Sequence, residues 1–393
     1  MKILINAASA HMGGSVTHLQ SILEWLPKKM PSSRVVVYVP ETTMAALPDG
    51  GGVDIRPYPY ASTQGLRRLY FDQIEIPRLV RRTGTDLLLS VTGFGTLWSP
   101  VPQVLSIRNM AYFDPTYQAK YRELGRNFVE RRLRRWHSLF SIWAADVVLF
   151  PTQAVQDVVG TYISLERTTT HALHYGYDRL RFAADRDEGT APEMLQQHID
   201  GEGPLLLNVS TYAIQKNLET LIEALPRLLD RHPNLTLATT TSREQTSDTD
   251  EYDALKERAV ELGIEKNWVE LGYVPHEELP SVYRAADLYV FPSFTESFGH
   301  SMVEAMASGL PVIAADTDVN REVCADAGSY FSTFDPDDCA DAIRGVLKSK
   351  DQQAEMRQAS RQRAEHFSWE RYAERLAEIF WEIKNSTEAY RKR

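Results

Sequence analysis

Two carboxylates, Glu296 and Glu304, stand eight positions apart around what reads as the start of a helix. Gly299 opens an Ala- and Met-rich helical run over 300–308. The first N–H groups of a helix have no intrahelical partner, and together with the helix dipole they favour an anion. Here those amides belong to Ser297, Phe298, Gly299 and His300, and glycine lets a ligand come close to the backbone. His300 and Glu304, four apart, share one helix face. The pattern thus sets two carboxylates beside an anion cradle. That suits a polyhydroxylated ligand carrying phosphate, since carboxylates accept from sugar hydroxyls and amides take phosphate oxygens. A cap plus a solvated charged face fits the same spacing equally well. Lys216 adds a cation: with Asn217 it opens a second helical run, 217–229, where point charge and helix dipole together can clamp a diphosphate.

These groups must be held by the elements around them. A strand over 288–291 ends at Pro292 and Ser293, the helix follows, Gly309 stops it, and Pro311 leads into a strand over 311–315. This is half of a βαβ unit, and open α/β sheets gather ligands at the carboxyl ends of their strands. The same alternation runs through the chain. Strands are expected at 1–8, 34–39, 53–57, 86–91, 102–108, 145–150 and 170–175, then at 205–209 and 267–271. The first strand runs into Gly13-Gly14 and a helix, the geometry of a phosphate cradle. It is neither a dinucleotide fingerprint nor a P-loop, because G-x-G-x-x-G and G-K-[ST] are absent. His11 and His18 nearby could line the cleft, but the commoner case, surface histidines, is the reading adopted. The polar stretch 185–203 reads as a linker between an N-terminal domain, 1–184, and a C-terminal domain, 204–378, with the last helix, about 379–393, packing back on the first.

Composition narrows the class. At 393 residues two domains are natural. A hydrophobic content of 43% with 24% charged residues is that of a globular protein, and no run approaches a membrane span. The chain begins directly with a strand, so no signal peptide is expected. Cys324 and Cys339 are too few for a disulfide framework and lack zinc spacing, so they read as reduced cytoplasmic thiols. Residues 1–180 carry a net charge of +6 and the remainder −16. The basic half suits an anionic partner, and the acidic half equally suits a solubilising surface.

Glu296-Ser-Phe-Gly-His-Ser-Met-Val-Glu304, followed by Ala-Met-Ala-Ser-Gly-Leu-Pro-Val, resembles the E-x7-E signature of retaining, nucleotide-sugar-dependent glycosyltransferases of family 4. The resemblance is strongest over 205–334. It implies an α/β GT-B fold, two facing Rossmann-like domains with parallel sheets and a central cleft. It also implies a donor such as a UDP- or GDP-sugar and an acceptor hydroxyl on a saccharide, lipid or small molecule. Glu296 would then bind donor sugar hydroxyls and Glu304 the ribose. Lys216, with the amides near Gly299, would stabilise the departing diphosphate. Gly13 and Gly14 would approach the donor, and Tyr273 and Val274 in Gly272-Tyr-Val-Pro-His276 would pack on the base. No metal and no cofactor are expected, because lysine and helix amides take that role, and no nucleic-acid partner is expected.

The chain departs from the family pattern at two places. Where G-R-x4-K-[NG] is usual, Lys216 and Asn217 match, but Ser210 and Thr211 replace the glycine and arginine. One phosphate cation is therefore missing, with Arg243 as a candidate substitute or simply an exposed arginine. Where a His-Asp pair is usual, the chain has Arg108-Asn109. A retaining transfer can use the departing phosphate as base, and Asn109 can donate to sugar or phosphate. These departures keep a non-catalytic nucleotide-sugar-binding protein as an alternative. Asp316-Thr-Asp318 and Asp248-Thr-Asp250 keep a metal-dependent D-x-D glycosyltransferase as another. A dehydrogenase is disfavoured by the missing fingerprint.

One further stretch stands out. Over 117–143 a single long helix is expected, with Leu124, Phe128, Val129, Leu133, Trp136, Phe140 and Trp143 as an apolar stripe. Lys120 and Arg122, Arg126, Arg131, Arg132, Arg134 and Arg135 occupy the other faces. The reading adopted is a stripe facing the domain core behind a solvated basic face. The alternative is peripheral contact with an anionic membrane at its inner face.

Overall fold

The computed structural model describes residues 1–11, 13–48, 50–59, 65–126, 128–182, 195 and 203–391. The chain divides into two compact units, Met1–Gly176 with Ser368–Arg393, and Tyr177–Phe367. Most of the stretch expected as a linker, 185–203, lies outside the described residues.

The first unit holds seven strands: β1 (Lys2–Asn6), β2 (Arg34–Val39), β3 (Val53–Pro57), β4 (Leu87–Ser90), β5 (Gln103–Ser106), β6 (Val147–Phe150) and β7 (Thr169–Ala172). Their order is β3-β2-β1-β4-β5-β6-β7, every pair parallel. The second unit holds β8 (Leu205–Asn208), β9 (Thr236–Thr239), β10 (Trp268–Glu270), β11 (Leu288–Phe291), β12 (Val312–Ala315) and β13 (Gly328–Phe331). Their order is β10-β9-β8-β11-β12-β13, again all parallel. Both are Rossmann-like sheets, as the family resemblance implies. Sheets covered on both faces need continuous apolar strands, and Leu-Leu-Leu in β4 and β8 and Val-Ile-Ala-Ala in β12 are fully buried. In the second unit Leu206, Leu237, Val290 and Ile313 pack with Leu221, Leu225 and Ile343 from flanking helices.

In each sheet the strand order reverses beside the first strand, between β1 and β4 and between β8 and β11. That reversal opens a crevice at the carboxyl ends of those two strands. Lys216, Glu296 and Glu304 lie on segments that leave the sheet near this point, whereas Tyr273 and Val274 follow β10 at the sheet edge.

Four expectations need correction. His18 is wholly buried: its Nε2 lies 2.8 Å from the Tyr372 hydroxyl, and its ring packs 4.6 Å from Tyr175. Tyr175 in turn stacks 5.6 Å from Trp369. This aromatic cluster holds the terminal helix Trp369–Arg391 in the first unit from its start, not only from 379. The single helix expected over 117–143 is two, Pro115–Glu123 and Phe128–Ala144, separated at Gly125, whose φ of +66° ends the first. The second helix buries Ser138, Leu139, Ser141 and Ile142 instead of the predicted stripe. Trp136, Phe140 and Trp143 are 51%, 54% and 64% exposed, so the stripe faces outward, not into the core.

Candidate active site

The site in the second unit begins where β8 and β11 lie side by side, Leu206 against Leu288 and Leu207 against Tyr289. Asn208 Nδ2 donates to the Val290 carbonyl at 2.9 Å, and the Phe294 amide donates to the Gln215 carbonyl at 3.0 Å. The loops leaving the two strands are thereby tied together.

Asn217 completes the tie. Its backbone is left-handed, φ 53°, a conformation asparagine tolerates better than most residues. Its Nδ2 donates to the carbonyls of Pro292 (3.1 Å) and Thr333 (2.7 Å), and its Oδ1 accepts from the Thr220 hydroxyl at 3.0 Å. At 2% exposure the side chain is spent on the protein. Expected to contact a ligand, Asn217 instead joins the loops after β8, β11 and β13 and starts the Leu218–Leu229 helix.

That geometry presents Lys216. Its ammonium meets Glu296 Oε1 at 2.5 Å, and the two side chains are only 22% and 15% exposed. Nζ also lies 5.9 Å from the Phe291 ring centroid, within cation–π range. Two sequence-predicted groups eighty positions apart are thus in direct contact. Lysine carries three N–H donors and the carboxylate two oxygens, so each keeps hydrogen-bonding capacity beyond the pair.

Gly299 caps the His300–Ala307 helix with φ 85°. The Met302 and Val303 amides donate to its carbonyl, so the helix's own hydrogen bonding begins at this residue. A Cβ here would meet Met302 Cε at 3.2 Å and Phe291 Cζ at 3.3 Å. Gly299→Ala is therefore expected to destabilise the second unit by roughly 1–2 kcal/mol from the left-handed backbone alone. Crowding adds to this, and denaturant unfolding measures the sum. Phe298, 1% exposed, packs 5.4 Å from Phe367 and 5.3 Å from His300. Its side chain anchors the turn from beneath, so only its backbone can serve a ligand.

Glu304 is oriented by two partners. The Tyr283 hydroxyl donates to Oε2 at 3.1 Å, and His276 Nε2 lies 3.4 Å from Oε1. Arg181 contacts His276 Nδ1. A guanidinium only donates, so this contact suits an accepting Nδ1 and leaves Nε2 as the nitrogen that faces the carboxylate. Burial, then the Glu304 charge, holds the Tyr283 phenol well above its ordinary range, so it stays a donor. Tyr289 donates to Ser301 Oγ at 2.8 Å and fixes the start of the same helix to β11.

The other predicted residues are placed as follows. Ser210 is held by its neighbours, Oγ to Asn208 Oδ1 and N to Thr240 Oγ1, both at 2.9 Å. Thr211 is exposed and brings no charge. Arg243 is paired bidentately with Asp253 (2.7 and 2.8 Å) on the surface, so it does not stand in for the missing cation. Tyr273 is 76% exposed, and its amide is bonded to the Gln245 side-chain oxygen at 3.1 Å; Val274 beside it is half-buried. In each D-x-D stretch the first carboxylate is engaged within the protein, Asp316 with Arg321 and Asp248 with the Ile214 amide at 3.3 Å, while Asp318 and Asp250 are exposed. Among the described residues no three His, Cys, Asp or Glu side chains form a metal set.

In the first unit Gly13, φ 58°, caps the Gly14–Lys29 helix, and a Cβ there would meet nothing within 4 Å. Arg108 Nη2 donates to the Gly14 carbonyl at 2.7 Å, so the arginine found in place of histidine is fastened to the glycine turn. Asn109 is exposed; its Oδ1 accepts from the Ala111 amide at 3.0 Å and caps the turn Met110–Tyr112. Sequence reasoning missed a buried network at the β1–β4 reversal. Asn6 donates to Asp72 Oδ1 (2.7 Å), and Arg68 Nε donates to Asp72 Oδ2 (2.6 Å). Arg68 also reaches Ser9 and Thr92. Asp72 lies in the π-helical turn Phe71–Glu75, a local irregularity frequent at functional sites. The only sequence signal was the four-residue spacing of Arg68 and Asp72. Nearby, burial depresses the His137 imidazole, which stacks 4.8 Å from Phe94.

Comparison with known proteins fits this geometry. Mannosylfructose-phosphate synthase of Agrobacterium fabrum is 36% identical over 193 residues, 49% of this chain and 41% of its own. D-inositol 3-phosphate glycosyltransferase of Corynebacterium jeikeium is 32% identical over 247 residues, 61% of this chain and 58% of its own. The chain thus spans about half the length of these curated relatives. Among solved structures, sucrose-phosphate synthase from Thermosynechococcus elongatus superposes with a TM-score of 0.78 at 17% identity, over 98% of this chain and 100% of that one. Anabaena HepE in complex with UDP does so with 0.75 at 20%, over 97% and 100%. Residues 191–363 match the family model described as Glycosyl transferases group 1. The chain has the GT-B fold, and within its second unit residues 191–363 are similar to the group 1 glycosyl transferases.

Proposed function

We propose that the protein is a retaining glycosyltransferase that moves a hexose from a nucleoside diphosphate sugar to an acceptor hydroxyl without a metal ion. The observation that carries this reading is the Lys216–Glu296 pair at the β8–β11 reversal, within the residues that match the group 1 glycosyltransferases. On donor entry the Lys216 ammonium turns to the diphosphate and Glu296 to the sugar hydroxyls. Glu304, oriented by Tyr283 and His276, accepts from the ribose, and exposed Tyr273 offers its ring to the base. The anomeric C–O bond to the diphosphate breaks while the acceptor oxygen bonds the same face of the carbon. The departing phosphate oxygen takes the acceptor proton, and its growing charge is met by Lys216 and the amides at the Gly299 turn.

UDP is the favoured nucleotide, supported by a similar fold solved with UDP. The acceptor is a hydroxyl of a saccharide, lipid or small polyol, the names of the curated relatives favouring phosphorylated polyols. The cytoplasm is the proposed compartment, on two buried free thiols; burial pushes Cys324 up to about 12 and keeps it inert.

The test is transfer from UDP-α-glucose or GDP-α-mannose to a panel of such acceptors in excess chelator, with the product anomer read by proton NMR. An α-linked product at an unchanged rate is expected. A β-linked product, or activity abolished by chelator, contradicts the reading.

A further inference from the structure

The Phe128–Ala144 helix carries two apolar faces, and only one is used. Ser138, Leu139, Ser141 and Ile142 pack into the first unit. On the opposite side Leu133, Trp136, Phe140 and Trp143 recur at intervals of three, four and three and are 65%, 51%, 54% and 64% exposed. This is one continuous helix face. Phe128 at 40% and Leu124 at 43% extend the apolar surface toward the preceding helix. A contiguous apolar face left exposed on a folded protein marks an interaction site.

Composition and charge select the occupant. Residues 115–144 contain seven Lys or Arg against two Glu, in a chain whose net charge is −10. Arg122 and Arg132 are exposed beside the stripe. Protein–protein contacts favour aromatics and arginine too, but a second copy would oppose like charge to like across this face. Tryptophan and phenylalanine framed by arginine is the composition of a helix lying in a lipid headgroup layer, where rings sit at the boundary and guanidinium groups meet anionic lipid. No helix among the described residues is long and apolar enough to cross a bilayer, so contact through this helix would be peripheral.

We infer that the outward face of the Phe128–Ala144 helix docks the protein on an anionic membrane surface. The inference is independent of the donor chemistry. Co-sedimentation of the full chain with vesicles tests it, comparing phosphatidylcholine alone with phosphatidylcholine containing one third phosphatidylglycerol. Binding to the anionic vesicles only, weakened by high salt, is expected. The triple variant Trp136→Ser/Phe140→Ser/Trp143→Ser removes only exposed side chains. It should keep the native circular dichroism and bind at least about tenfold more weakly. Arg122→Gln/Arg132→Gln should weaken binding by about tenfold with the apolar face intact. Equal binding to neutral vesicles, or none to either, overturns the inference. A dimer in sedimentation equilibrium that the triple variant dissolves assigns the face to a second copy and overturns it as well.

Discussion

Lys216→Met is expected to lower kcat/KM for sugar transfer by about a thousandfold, the scale of removing one preorganised charge donor from a transition state. Methionine keeps the apolar stem and removes the ammonium that would meet the leaving diphosphate. No second cation in the same loop compensates, since Thr211 is neutral and Arg243 is bound to Asp253. The substitution also strands Glu296, 15% exposed, without its cation, and removing one partner of a half-buried pair costs more than the pair contributed. Two effects are therefore mixed in one variant, and a second variant separates them. Lys216→Met/Glu296→Gln should recover most of the lost stability in thermal unfolding while leaving transfer as low as before. Recovery of transfer along with stability would mean that Lys216 serves the fold alone.

Asn217→Ala is expected to be the most damaging single change to the second unit, about 3–5 kcal/mol by denaturant unfolding. The side chain makes three hydrogen bonds, and alanine leaves the Pro292 and Thr333 carbonyls without these donors. The left-handed backbone adds its own cost for alanine. Asn217→Gly removes that backbone cost and so isolates the hydrogen bonds; it should remain destabilising by about 2–3 kcal/mol. Because Asn217 fixes the turn that carries Lys216, both variants should lose transfer beyond what their folded fraction explains. A stable Asn217→Gly with full activity would show that the loops hold their places without it.

The strands were readable because a parallel sheet covered on both faces demands uninterrupted apolar runs, as in β4, β8 and β12. The His300–Ala307 helix was bounded by Gly299 and Gly309, whose left-handed φ values of 85° and 79° suit glycine at both ends. Contact between Lys216 and Glu296 was not readable. It depends on β9 and β10 being laid on the far side of β8 so that β11 returns beside it, a matter of sheet order and not of local pattern. Asn217 matched a sequence pattern yet points at two carbonyls supplied by residues 292 and 333, which no local reading could bring together. Periodicity in the Phe128–Ala144 helix revealed an apolar face but not its direction. Two serines lie on the buried face, so the more apolar side was assigned inward and proved to be outward. The Arg68–Asp72–Asn6 network was hidden because its charged members look like ordinary helix surface until their burial is known.

In the proposed reaction Lys216 and the Gly299 turn hold a diphosphate. Calorimetric titration of the intact chain with UDP and with UMP, in chelator, for the native protein and for Lys216→Met, reads this directly. UDP should bind the native protein at least about tenfold more tightly than UMP, and that preference should collapse in the variant while UMP affinity stays nearly constant. Equal affinities for the two nucleotides, or a UDP preference that survives the loss of Lys216, would contradict it.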